Sequence, residues 1–156
     1  MKIREALEKD FEVISMLYWE SDNFHFQNQP NIYDETKDSF RSFEYLKGLI
    51  NDQNSLFYVI EDENSVLGFI YGYEERKGFL PFHKKRTYFV IDNIIVSKKK
   101  QRLGYGTKLI DKIVEECKQK NYSDIVLNVF SFNKQAIALY KKKGFCELSK
   151  EYIMEL

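Results

Sequence analysis

The chain has 156 residues and a mass of 18.7 kDa, is 44% hydrophobic and 16% aromatic, and balances 24 basic side chains against 24 acidic ones. That size fits one domain of roughly 100–200 residues, the aromatic content excludes a disordered chain, and no apolar run approaches the ~18 residues of a membrane span. Met1-Lys2-Ile3-Arg4-Glu5 meets charge at once, unlike a signal peptide, and Cys117 and Cys146 cannot build a disulfide framework or a four-ligand zinc site, so the expectation is one domain over 1–156 in a soluble, cytoplasmic protein.

Lys2 to Ala6 reads as a short strand. Asp10 offers an N-cap, and Val13, Ile14, Leu17 and Tyr18 form a helical stripe behind it. Ser21 to Tyr33 reads as irregular, because Asn, Gln and Pro30 interrupt its aromatics. Phe40, Phe43, Leu46, Lys47 and Ile50 resume helical spacing. The period then turns strand-like: Leu56 to Ile60 and Val66 to Tyr71 flank Asp62-Glu63-Asn64-Ser65, the composition of a hairpin turn. A basic loop, Arg76 to Arg86, leads into the strongest strand pattern, Tyr88 to Val96. Gly104 to Asn121 is helical, with Leu109, Ile110, Ile113, Val114 and Cys117 on one face. Ile125 to Val129 alternates as a strand, and a helix from Lys134 to Lys143 ends at Gly144. Two short strands, Phe145 to Leu148 and Tyr152 to Leu156, are expected to close the chain. The order β-α-α-β-β-β-α-β-α-β-β predicts an α/β (α+β) fold, a mixed sheet with helices on both faces.

The most informative stretch is Val96-Ser97-Lys98-Lys99-Lys100-Gln101-Arg102-Leu103-Gly104-Tyr105-Gly106-Thr107. A buried strand ends, a basic loop with two glycines follows, and a helix begins. This arrangement aims unpaired backbone N–H groups and a positive helix end at one spot, which suits a phosphate or pyrophosphate. It matches neither a Walker loop nor a dinucleotide fingerprint, which needs a further glycine at position 109. Two glycines alone are equally compatible with a relieved turn beside a solvated lysine cluster.

The spacing of Gln101, Gly104 and Gly106 resembles the acyl-coenzyme A signature of the GNAT acetyltransferase superfamily, Arg/Gln-x-x-Gly-x-Gly/Ala. Asn133, Ala136, Leu139-Tyr140-Lys141 and Gly144-Phe145 are similar to its second motif, Asn-x-x-Ala-x-x-Leu-Tyr-x-x-x-Gly-Phe. The element order also resembles that fold, so the likeness covers essentially the whole chain. It implies a mostly antiparallel sheet with one splayed parallel strand pair, Tyr88 to Val96 and Ile125 to Val129. It implies acetyl-CoA as co-substrate, no metal, and direct acetyl transfer to a primary amine of a small molecule or peptide. By the same resemblance the backbone of Gln101, Arg102, Leu103, Gly104, Tyr105, Gly106 and Thr107 holds the pyrophosphate. Ile94, Ile95 and Val96, with Asn133 and Tyr140, border the pantetheine arm. Family members are often dimers, which leaves a homodimer open.

The chemistry needs a neutral amine, a held oxyanion and a proton for the departing thiolate. Tyr140 is the candidate acid, projecting from the same helical face as Asn133 two turns earlier. Asp92 is the candidate base, a carboxylate among Val90, Ile91, Ile94 and Ile95 that is costly to bury unpaired. Its strand resembles the Glu-Asp-x-x-Val of the diamine and polyamine branch, but Asp92-Asn93 is one methylene shorter and one charge fewer. A structural carboxylate remains an alternative. His25 and Tyr33, with Asp92 and Asn93, are candidates for the acceptor pocket, His25 being read as a loop residue. Both cysteines read as packing, and no His has metal spacing.

Two other readings stand beside the enzyme. One is a catalytically idle module that binds acyl-CoA as a sensor or interaction domain. The other, nucleic-acid binding through residues 76–102, is weaker because no recognition motif accompanies the charge. Residues 1–75 carry 16 acidic and 6 basic side chains, and residues 76–156 carry 8 and 18. The halves thus hold −10 and +10, which fits a cationic amine on one side and a polyanionic coenzyme on the other. Interleaved surface charge would look the same in sequence.

Overall fold

The computed structural model describes residues 1–78 and 80–156. Five strands lie side by side in chain order: β1 (Lys2–Glu5), β2 (Ser55–Asp62), β3 (Ser65–Lys77), β4 (Arg86–Val96) and β5 (Ile125–Leu127). Neighbours are antiparallel except the last pair, where β5 runs parallel to β4. The helices are α1 (Phe11–Asn28), α2 (Phe43–Asn51), α3 (Tyr105–Gln119) and α4 (Lys134–Lys142). The expected mixed, mostly antiparallel sheet flanked by helices is what forms.

Alternation along the strands divides the core in two. Tyr58, Ile60, Ile70, Phe89 and Ile91 face Leu109, Ile110, Ile113 and Tyr140 of α3 and α4. Phe57, Val59, Phe69, Tyr71 and Ile95 face Ile14, Leu17, Tyr18 and Leu46 of α1 and α2. The β2–β3 turn uses Glu63 and Asn64 at φ of 49° and 62°, the left-handed pair that matches strand twist in a two-residue hairpin.

Four expectations need correction. Asp10 does precede α1, but its carboxylate turns back to Arg4, at 2.7 and 2.9 Å, and to the Leu7 N–H at 2.9 Å. A buried carboxylate gains more from a bidentate guanidinium than from a cap. Ser21–Asn28 is helical, because α1 runs on until Gln29 and Pro30; the helical propensity of the intervening Phe24, His25 and Phe26 is adequate once one face packs. The second helix begins at Phe43, capped by Ser42, which accepts from the Tyr45 N–H at 3.1 Å, so Phe40 lies outside it. Finally, residues 145–156 form no strand. A strand needs a partner, and none of the described residues pairs with them.

Among the described residues, no helix is long and apolar enough to cross a membrane.

A bulge opens the candidate active-site cleft

The site begins with one extra residue. Ile91 pairs with Gly72 and Asn93 with Tyr71, so Asp92 has no residue opposite it and β4 bulges there. A bulge bends its strand and reverses which residues point to which side. Before it, the Phe89 N–H donates to Asp124 of the β5 approach at 3.0 Å. After it, the Ser97 N–H donates to Leu67 on β3 at 2.9 Å. The parity has flipped: Asn93 and Ile95 now bond to β3, while the backbones of Ile94 and Val96 turn toward β5.

Yet β5 is no longer there. Its pairing with β4 ends at Ile91–Leu127, one residue before the bulge. The two parallel strands splay, and the gap between them is a cleft of about 950 Å³. The backbone of Ile94 and the N–H of Val96, unpaired with either neighbouring strand, line it. The Val96 carbonyl is met by the Gln101 side chain, whose Nε2 donates to it at 3.1 Å. Gln101 therefore braces the loop against the strand end.

At one end of the cleft lies the α3 N-terminus. Arg102 and Gly104 adopt φ of 64° and 85°, curling the loop so that the chain enters the helix abruptly. Gly104 supplies the left-handed N-cap without a side chain, and no side chain caps α3. The N–H groups of Tyr105, Gly106 and Thr107 are thus left free, facing the cleft with the positive helix end. A Cβ on Gly106 would stand 3.3 Å from Leu139 Cδ2, so the loop and α4 touch at the smallest residue available. Lys98, Lys99, Lys100 and Arg102 are exposed around this end. Glu20 of α1, a residue with no sequence signal, accepts from the Lys98 N–H at 2.8 Å and from the Ser97 hydroxyl at 3.3 Å. It ties the loop to the opposite face of the sheet.

Tyr140 stands midway, on α4. Asn133 Oδ1 caps this helix by accepting from the Ala136 N–H at 3.1 Å, which leaves its amide NH₂ to donate to another partner. At the other end, Gly144 at φ 90° closes a Schellman motif: the Phe145 N–H donates to Tyr140 and the Gly144 N–H to Lys141. The accompanying apolar contact is Phe145 edge-on to the Tyr140 ring, 5.9 Å between centroids. The Gly-Phe pair of the sequence motif is thus the clamp that holds the tyrosine. Tyr140 is buried and its hydroxyl hydrogen-bonds to no described residue. Burial pushes the phenol up to about 12.

At the far end the cleft turns acidic and aromatic. Asp92 projects to the α1–α2 side, where desolvation raises its carboxyl above the usual range against the lowering effects of Asn93 and Arg41. Asn93 Nδ2 donates to it at 2.5 Å. Arg41 is itself engaged by Asp22 at 2.7 Å and lies 3.9 Å over the Tyr18 ring, so Asp92 gets only part of its charge. His25, Phe24, Phe130 and Phe132 form a cluster of rings 5.5–5.9 Å apart. His25 sits on α1, not in a loop, and its Nδ1 meets the Ser21 carbonyl at 2.8 Å, which turns Nε2 outward. Tyr33 packs behind His25 and Phe130 and does not line the cleft; nor does Leu103. All the other candidates converge on it. Cys117 is buried as expected, whereas Cys146 is exposed. No cluster of three or more metal-binding side chains occurs among the described residues.

Comparison with known proteins agrees with this geometry. The acetyltransferase (GNAT) family model matches residues 10–145. An N-alpha-acetyltransferase of Sulfurisphaera tokodaii is 32% identical over 105 residues, covering 64% of this chain and 61% of that protein. Human N-acetyltransferase 8 is 23% identical over 111 residues, covering 68% of this chain and 45% of its own. The chain thus matches about half of the length of these curated relatives. Among solved structures, a tetramutant of the BH1408 protein of Bacillus halodurans superimposes with a TM-score of 0.94 at 20% identity, over the full length of both chains. With the family model covering most of its length and the same fold around a splayed strand pair, this chain belongs to the GNAT acetyltransferase family.

Proposed function

We propose that the chain, as one domain over 1–156, transfers the acetyl group of acetyl-CoA directly to a primary amine. The observation that carries this reading is the cleft itself. It brings a free helix N-terminus, unpaired strand backbone, a protonated phenol and a carboxylate to one cleft. The residues fit the co-substrate: free N–H groups of Tyr105, Gly106 and Thr107 suit a pyrophosphate, and the bare backbone of Ile94 and Val96 suits an amide-bearing arm. Bound acetyl-CoA supplies the thioester carbonyl that an amine attacks.

The chain's own residues then have distinct tasks. The Ile94 N–H, unpaired and fixed by the sheet, is the donor for oxygen charge that develops on the carbonyl. Tyr140 holds a proton at Oη at any neutral pH, because its phenol lies near 12. A thiol ordinarily titrates near ~8.5, so complete transfer from such a phenol is uphill. Its main contribution is a hydrogen bond that strengthens as negative charge builds on sulfur. Asp92, its carboxyl raised by desolvation and oriented by Asn93, accepts a proton from the incoming ammonium directly or through water. His25 and the neighbouring rings offer apolar walls for the body of the acceptor, with Tyr33 supporting them from behind.

The deciding experiment is acetyl-CoA-dependent thiol release measured over amino acids, polyamines, aminoglycosides and peptide N-termini. Turnover with an amine supports the enzyme. Tight acetyl-CoA binding without turnover on any amine identifies the idle binding module instead.

A further inference from the structure

The acceptor end of the cleft is built in a way that the charge pattern of the sequence does not suggest. Residues 1–75 carry 16 acidic side chains, yet Glu20 alone of these lines the cleft. Asp10 and Glu61 are held by Arg4, Asp22 by Arg41 and Glu8 by Lys47. Glu20 is itself committed, since it accepts from the Lys98 N–H and the Ser97 hydroxyl. Among the described residues, Asp92 is therefore the single carboxylate of the cleft left for a bound ammonium.

Rings line this end instead. Phe24 and His25 come from α1, and Phe130 and Phe132 from the stretch between β5 and α4. The Phe130 and Phe132 rings stand nearly parallel, 15° apart, and His25 meets them edge-on at 5.5 and 5.9 Å between centroids. The imidazole is fixed as a wall, because its Nδ1 bonds to the Ser21 carbonyl and Tyr33 backs it. Phe24 and Phe130 remain 40% and 38% exposed, so covering them with an apolar group is favourable.

We propose, resting on the acetyl transfer proposed for this cleft, that the acceptor is a primary monoamine carried on a flat apolar body. Phe24, His25, Phe130 and Phe132 select it: the amine goes to Asp92 and the body lies among the rings. A polyamine or an aminoglycoside brings further ammonium groups, which would enter the rings without a second free carboxylate. Ring faces offset only part of the hydration that those groups lose. The site thus discriminates by the charge it withholds as well as by the apolar surface it offers.

Thiol release from acetyl-CoA is followed with 2-phenylethylamine, with a tetrapeptide beginning in Phe, and with putrescine. The first two represent the small-molecule and the peptide source of such an amine. At least one of them is expected to exceed putrescine in kcat/KM by ~10-fold or more. Phe130→Ala is expected to shrink that ratio, and Phe24→Glu, which adds a carboxylate, to shift it several-fold toward putrescine. A ratio between two substrates does not depend on how much of a variant is folded. Putrescine used as well as or better than both apolar amines overturns the inference and leaves acetyl transfer standing. A ratio unmoved in both variants also overturns it. No thiol release with any amine overturns acetyl transfer as well.

Discussion

Removing one oxygen tests the role of Tyr140. Its hydroxyl hydrogen-bonds to no described residue, so Tyr140→Phe leaves no polar group stranded. The ring keeps its packing on Phe145 and the Schellman clamp is untouched. The melting temperature is therefore expected to stay within about 2 °C, since even 1 kcal/mol moves a domain of this size by ~2–4 °C. Catalysis is another matter. A hydrogen bond to a charged group is worth about 1.5–3 kcal/mol, and each 1.36 kcal/mol is tenfold in rate, so kcat should fall ~10- to 150-fold. The KM for acetyl-CoA should hardly move, because the bond matters only once sulfur carries charge. Thiol release under saturating acetyl-CoA, with a thermal melt of the same preparation, reads both quantities. An unchanged kcat refutes the assignment. A large loss of stability with a proportionate loss of activity refutes it too, by making the hydroxyl structural.

Asp92→Asn should flatten the acidic limb of the kcat/KM profile, and an unaltered limb excludes Asp92 as the base. Its folded pKa is raised, so the native state binds the extra proton and stability falls as pH rises from the unfolded value through the folded one; chemical denaturation should show the Asn variant gaining relative stability over that interval. Gly106→Val forces bulk against Leu139, whose Cδ2 would already be 3.3 Å from a Cβ; overpacking costs about 1–3 kcal/mol, and acetyl-CoA binding measured by calorimetry should weaken at least ~10-fold, which a wild-type affinity would contradict. Raising salt from 0.05 to 0.5 M shortens the screening length well below ~10 Å and should raise the KM for acetyl-CoA several-fold; a flat response would show that the lysine cluster is only a solvated surface.

Much of the candidate site is legible along the chain because it is local. Gln101, Gly104 and Gly106 act within one turn of backbone, and Gly144-Phe145 clamps Tyr140 from five residues away, so spacing alone carries their geometry. Leu103 and Tyr33 do not line the cleft, because nearness in sequence says nothing about which side of a loop or ring faces it. Glu20 gave no signal, since its partners Ser97 and Lys98 are 77 and 78 residues distant.

What the sequence determined by itself was the set of helices, the hairpin turn, the phosphate-type loop and the family. Each depends on short-range periodicity or on a glycine's freedom at a fixed position. Tertiary structure decided the rest. Only pairing to β3 shows that Asp92 is a bulge, and only the bulge explains why Ile94 and Val96 present bare backbone to a cleft. Only packing continues α1 to Asn28 and brings His25 to Phe130. And only the tertiary structure shows that Tyr152 to Leu156 lie outside any strand, although their residues favour one. A helix bonds within itself, whereas a strand is completed by another strand, and the sequence of one segment does not say where that other strand lies.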